Sequence, residues 1–154
     1  MSESAVAATG EQGSVTPLNV RNGRLIHLPR LATPDGCLLS VGEAGALIPF
    51  EIKRFYTITN FQRSGIRRGG HAHKTFEQIF FCLAGRFLFH LDDGTTQQDV
   101  EMTEPNQGVY VGPALWHDMI EIAAGSVIFV VASHPYAERD YIRDYQEFLA
   151  GRRG

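Results

Sequence analysis

From Gly23 onward, short apolar or β-branched stretches alternate with Gly, Pro, Asn and Asp. Nine such stretches read as strands, at residues 24–28, 37–41, 51–60, 76–83, 86–91, 95–102, 109–111, 116–122 and 127–132. Asp92-Asp93-Gly94-Thr95 is a hairpin signal, because Gly accepts the positive φ of a tight turn, and Ala84-Gly85 and Ala124-Gly125 mark two more turns. No helical pattern separates the strands, which points to an antiparallel sandwich or barrel rather than a parallel sheet. Only residues 138–150 break the rhythm: Tyr141, Ile142, Tyr145, Phe148 and Leu149 recur at helical spacing among charged residues. This predicts an amphipathic C-terminal helix. The organisation expected is a disordered tail at 1–16, a barrel at 17–137 and a helix at 138–154 packed on it.

Composition narrows the class. With 154 residues and 44% hydrophobic content, the chain is long enough for one domain with its own core. Fourteen Lys and Arg against seventeen Asp and Glu leave a formal charge of -3 with no basic run, which argues against nucleic acid as a partner. The longest apolar runs, 79–84 and 127–132, are far short of the ~20 residues of a membrane-crossing helix, so no membrane association is expected. Cys37 and Cys82 are too few for a disulfide framework, and Cys82 reads as a small buried hydrophobe. The first 16 residues lack a basic start and an apolar core, so they read as a tail on a cytoplasmic protein rather than a secretory signal.

The densest run of chemistry is Gly65-Ile66-Arg67-Arg68-Gly69-Gly70-His71-Ala72-His73-Lys74-Thr75-Phe76-Glu77. Strand side chains alternate faces, so His71 and His73 point the same way, about 7 Å apart. Glu77 has the parity to join them if no bulge intervenes. Gly, five residues, His-x-His, three residues and Glu is the first signature of the cupins, although Gly85 then falls one residue late. Residues 108–117, ending Trp116-His117, resemble the second signature loosely: a Gly is missing after Pro113, the Pro-to-His spacing is one residue short, and Glu121 replaces a common Asn. The fold expected is all-β, a cupin-type antiparallel β-barrel (jelly roll) with a C-terminal helix. His71, His73, Glu77 and His117 have the types of a site for iron, manganese, zinc or nickel. Alternatively, the histidines move protons themselves, or are structural. Arg67 or Arg68 is a candidate for a diphosphate or an enolate oxygen. Arg54 and Tyr56 share a face of one strand. Tyr110 and Trp116 are core candidates that a nucleotide base could also stack on. His27, His90 and His134 have no neighbours that suggest chemistry.

Longer matches sharpen the resemblance. Pro49 to Tyr56, Arg68-Gly69-Gly70-His71-Ala72-His73-Lys74, Glu77-Gln78, Leu91-Asp92-Asp93-Gly94, Gly108 to Pro113, Trp116-His117, Val130-Val131-Ala132-Ser133, Tyr136, Glu138, Asp140-Tyr141-Ile142-Arg143 and Tyr145 occur in order. Across residues 25–148 the chain resembles the sugar 3,4-ketoisomerases, the WxcM-like cupins. The resemblance implies conversion of a dTDP-linked 4-keto-6-deoxyhexose to its 3-keto isomer. An aminotransferase would then use that isomer in making a 3-amino-3,6-dideoxyhexose, as for a lipopolysaccharide O-antigen. It also implies a homodimer with exchanged N-terminal strands, no cofactor and no metal. By position, His71, His73 and His117 are the catalytic residues, and Arg54, Arg68 and Tyr56 substrate-binding residues, with Tyr110 and Trp116 added as base-stacking candidates. His73 is expected as the main proton shuttle, His71 as its assistant and His117 as the group polarising the oxygen. Two positions depart from the family: Asp35 where Arg or Tyr is usual, and Thr57 where an aromatic is common. The rival readings are a metal-dependent cupin enzyme and a non-catalytic sugar-nucleotide-binding cupin.

Overall fold

Fourteen strands, one 3-10 turn and one short helix make up the computed structural model, which describes residues 10–152. In chain order the strands are β1 (Gly10–Glu11), β2 (Ser14–Pro17), β3 (Gly23–His27), β4 (Arg30–Ala32), β5 (Leu38–Ser40), β6 (Arg54–Ile58) and β7 (Ile66–His73). They continue with β8 (Gln78–Ala84), β9 (Phe87–Asp92), β10 (Gln97–Met102), β11 (Gln107–Val111), β12 (Trp116–Ile122), β13 (Val127–Ala132) and β14 (Tyr141–Ile142). The helix α1 is Tyr145–Gly151. A six-stranded sheet runs β2-β3-β11-β8-β13-β6, a five-stranded sheet β10-β9-β12-β7-β14, and a small sheet β1-β4-β5, with all named pairings antiparallel. This is the expected cupin-type jelly roll.

Period-two alternation decides which side chains fill the space between the two large sheets. Phe80, Phe87, Phe89, Leu91, Met102, Val109, Ile122, Ile128 and Val130 form that core. On β8 the alternate residues Ile79 and Phe81 face the other way, where Ile26, Leu28, Ile48, Phe50, Tyr110 and Val131 cover them. Residues 42–52 thus shield the outer face of the six-stranded sheet, and β8, buried on both faces, reads as a continuous apolar run.

Two expectations about the ends need correction. Residues 10–16 of the anticipated tail include β1 and most of β2; β2 pairs with β3, Ser14 opposite His27, so its backbone groups find a sheet edge despite its polar sequence. The remainder of the tail, 1–9, lies outside the described residues. The helix expected over 138–150 begins only at Tyr145. Before it, Glu138–Asp140 make a 3-10 turn, and β14 pairs with the end of β7, Tyr141 opposite His73 and Ile142 opposite Ala72. The Asp144 carboxylate accepts the Glu147 N–H at 2.8 Å and caps the shorter helix. The helix buries Phe148 against Trp116 and Ala72, and this fastens β14 to the edge of the five-stranded sheet.

Candidate active site

The site begins with a distortion in β7. Gly69 and Gly70 have φ of +98° and +77°, and the β7–β12 register shifts between His117 and Asp118. A Cβ on Gly69 would stand 2.8 Å from the His117 carbonyl oxygen, so only glycine fits that approach. Just past this bulge, β7 places His71 opposite His117. The rings of His71 and His117 lie 4.6 Å apart, those of His71 and His73 5.0 Å, and those of His73 and His117 5.8 Å. His73 and His117 are essentially closed to solvent, while His71 is half-buried and lines a cavity of about 420 Å3.

All three imidazoles are held neutral. Burial is the main cause in each case, lowering His71 to about 2 and His73 and His117 to about 4. The neighbouring imidazoles add to the effect at His71 and His117, while the Asp140 carboxylate partly offsets it at His73. The His117 Nδ1 lies 3.1 Å from the Leu115 carbonyl oxygen, so in the neutral ring Nδ1 carries the proton. Its Nε2 lone pair is left buried without a partner.

Four guanidiniums line the same cavity: Arg54, Arg67, Arg68 and Arg143. Two are already paired. Arg67 donates Nε–H to Asp118 at 3.1 Å, and Arg143 donates to both oxygens of Glu138 at 2.7 and 3.0 Å. Arg54 differs: its Nε and Nη2 are buried and have no hydrogen-bond partner. Aromatic rings of Tyr56, Phe76 and Tyr136 lie 5.2–6.0 Å from its guanidinium carbon. Tyr56 accepts the Gln78 Nε2–H at 3.2 Å, and burial pushes its phenol up to about 12, so it stays protonated. Arg54, Tyr56 and Ile58 alternate along β6 and all line the cavity; the exposed Thr57 between them does not. The departure at Thr57 therefore lies on the other face.

Several expected residues are elsewhere. Glu77 does not join the histidines: it accepts the Tyr110 hydroxyl at 2.6 Å on the outer side of the six-stranded sheet. The break between β7 and β8 at residues 74–77 resets the alternation on which its parity rested. Tyr110 is accordingly committed to Glu77 and the outer cluster and does not line the cavity. Trp116 packs on Tyr145 and Phe148 and donates its indole N–H to Asp118 at 3.2 Å, also away from the cavity. Asp35 lies in the exposed turn between β4 and β5, bonded to Thr33 and to the Cys37 N–H.

The metal set consequently lacks its carboxylate. The three imidazoles do bring nitrogen atoms within 4.8 Å of one another. Glu77, the fourth ligand of the expected set, is bonded to Tyr110 on the other side of the sheet. This donor set does not fit the four-ligand centre.

The family model described as WxcM-like, C-terminal matches residues 21–153. The chain belongs to the WxcM-like sugar 3,4-ketoisomerase family. It is 41% identical over 126 residues to a TDP-4-oxo-6-deoxy-alpha-D-glucose-3,4-oxoisomerase of Aneurinibacillus thermoaerophilus, covering 81% of this chain and 88% of that protein. Among solved structures it resembles the 3,4-ketoisomerase QdtA of Thermoanaerobacterium thermosaccharolyticum, seen as a histidine-to-asparagine variant with TDP-4-keto-6-deoxyglucose. That match has a TM-score of 0.80 and 35% identity over 86% of this chain and 94% of the other. A Helicobacter canadensis 3,4-ketoisomerase matches with a TM-score of 0.81 and 33% identity over 86% and 98%. Tyr141 and Arg143 line the cavity from the C-terminal segment, and Met119 and Phe80 form part of its apolar wall. The matched stretch Asp140-Tyr141-Ile142-Arg143 contained the signal, but helical spacing masked its strand.

Proposed function

We propose that this protein converts a dTDP-linked 4-keto-6-deoxyhexose to its 3-keto isomer by proton transfer through an enediolate. The observation that carries this reading is Arg54, with two buried unpartnered guanidinium nitrogens, in a cavity lined by the neutral His71 and His117 with neutral His73 behind them. Of the related proteins named above, the Aneurinibacillus enzyme is named for such a nucleotide sugar and the QdtA variant is seen bound to one.

The chemistry asks for a base at carbon 3, whose proton the neighbouring ketone acidifies. Its removal sends the electron pair toward the carbon 4 oxygen. The hydroxyl proton at oxygen 3 passes to oxygen 4, carbon 4 receives a proton, and the carbonyl re-forms at carbon 3. Neutral imidazoles can take and return these protons, for about 10²–10⁴-fold in rate. We assign the carbon proton to His71, which lines the cavity, and its onward relay to His73, which is 1% exposed and lies behind it with ring centroids 5.0 Å apart. His117 presents a lone pair rather than an N–H, so it suits accepting a hydroxyl proton. Polarising the developing oxyanion falls instead to Arg54, a charged donor with free N–H groups. Arg68, with Arg143, is suited to the diphosphate at the cavity edge. No cofactor or metal enters this scheme.

We further propose a homodimer with exchanged N-terminal strands. Supporting it, Leu38, Leu39, Ile52 and Leu83 are 38–62% exposed, and all but Leu39 line an apolar groove of about 480 Å3. The 3-keto product is chemically suited to an aminotransferase, which fits a cytoplasmic route to a 3-amino-3,6-dideoxyhexose of a surface glycan.

The test is NMR of TDP-4-keto-6-deoxyglucose with the protein in deuterated buffer, with and without chelator. Chelator-resistant isomerisation with deuterium at carbon 4 is expected. Activity lost on chelation and restored by a metal would overturn the scheme, and tight binding without exchange would leave a binding-only cupin.

A further inference from the structure

We propose that Asp140 is a positioning residue: it fixes His73 as the tautomer with its proton on Nδ1, leaving the Nε2 lone pair available to the proton relay. The inference rests on the function proposed above only for its kinetic consequence. Its geometric part stands alone.

Asp140 belongs to the 3-10 turn before β14, within the stretch whose spacing predicts a helix. In the fold its carboxylate is buried beneath the end of β7. Oδ1 accepts the Thr75 N–H at 3.0 Å and the Thr75 hydroxyl at 2.6 Å, and Oδ2 accepts the Phe76 N–H at 3.1 Å. The Asp140 carbonyl oxygen accepts the Lys74 N–H at 2.9 Å, so main chain and side chain are both fastened. Oδ2 lies 3.2 Å from His73 Nδ1, with the two side chains 7% and 1% exposed.

Three donors stabilise the ionised form, and the carboxylate stays below its ordinary range despite burial. An ionised carboxylate can only accept, so its charge at 3.2 Å favours the proton on the facing His73 Nδ1. The ring cannot readily turn away, because it stacks on Phe76 with centroids 5.2 Å apart and meets Tyr141 edge-on at 4.5 Å. Both ring nitrogens are buried without an aligned hydrogen bond, so Asp140 acts on Nδ1 as an ion-pair contact at 3.2 Å while Nε2 is left free. The other groups around His73 are His71, His117, Tyr141, Gln78 and Arg54, none of them anionic. Among the described residues around this imidazole Asp140 is thus the one negative charge, and it both favours the Nδ1 tautomer and supports the ring's basicity. A purely structural Asp140 would hold only the Thr75–Phe76 turn.

The experiment uses the full chain with 15N-labelled histidine, reading the His73 tautomer by NMR, together with steady-state kinetics on TDP-4-keto-6-deoxyglucose and TDP affinity by calorimetry. In the unaltered protein the His73 proton is expected on Nδ1; finding it on Nε2 overturns the proposal without any variant. Asp140→Asn places an amide N–H toward His73 and is expected to move the proton to Nε2. It should lower kcat by about 10²–10⁴-fold, move the acid limb of the pH profile lower, and leave TDP affinity and KM near their original values. A kcat close to that of the unaltered protein overturns the proposal. Thr75→Val removes one bond of the turn but leaves the carboxylate on His73; it should lose stability yet keep tautomer and kcat, and an equal kcat loss there would make Asp140 merely structural. If the unaltered protein fails to isomerise this substrate while the tautomer still switches in Asp140→Asn, the proposed function falls and the positioning role stands.

Discussion

At the scale of single residues, Arg54 is a group that the apo fold gains little from keeping. Burying guanidinium N–H groups without acceptors costs roughly 1–3 kcal/mol, more for charged donors. Retaining such a group at the floor of a cavity makes sense where a ligand oxygen completes it. Arg54→Met should therefore raise the melting temperature of the ligand-free protein by a few degrees while lowering kcat by about 10²–10³-fold. Paired thermal melts and isomerisation assays check both signs, and a destabilised variant would mean that Arg54 has a structural partner. Alternation along β6 made Arg54 and Tyr56 legible in the sequence, and His-x-His made His71 and His73 legible. The same alternation failed at Glu77, because the turn after His73 broke the phase.

At the scale of elements, the β7 bulge and the β14–α1 segment aim the site. Gly69→Ala would force a Cβ to within 2.8 Å of the His117 carbonyl oxygen at a φ of +98°. The expected result is about 1–3 kcal/mol of lost stability, with a fall in kcat as His71 and His117 separate. Gly70→Ala, whose Cβ would meet only the Asp118 side chain at 3.4 Å, should cost less. Thermal unfolding and kinetics of the pair decide this. On the opposite edge, Phe148→Ala removes a side chain only 2% exposed, at a cost of about 3–5 kcal/mol. Because α1 fastens β14, amide exchange at Tyr141 and Ile142 should quicken in that variant, whereas unchanged exchange would mean that β14 is held by its pairing alone. The sequence pattern could not show β14, since Tyr141 and Ile142 also fit helical spacing and their pairing partners lie nearly seventy residues earlier.

At the scale of the whole molecule, three buried neutral imidazoles make stability depend on pH. Their folded-state values lie near 2, 4 and 4, below the ordinary 6.5 that the unfolded chain regains. Below about pH 6.5 the unfolded chain binds protons that the folded one refuses, so stability is full above that pH and falls as the pH drops toward 4. Each such histidine contributes about 1.4 kcal/mol per pH unit within the window. Melting temperatures from pH 7 to 4 should fall accordingly, and His117→Gln should flatten the slope by about one proton's worth. An unchanged slope would mean that His117 is charged in the folded protein.

The sequence alone determined what depends on local period and short-range order. That includes the nine strand stretches, the turns at glycine, the faces of His71 and His73, the parity of Arg54 with Tyr56, and the likeness to the ketoisomerase family. Tertiary structure decided what depends on pairing between distant segments. It turned part of the expected helix into a strand beside His73, carried Asp140 and Arg143 to the site, and took Glu77, Tyr110 and Trp116 away from it. A side chain's parity is fixed by its neighbours in the chain, but its partners are fixed by which strand lies alongside, and that choice belongs to the whole fold.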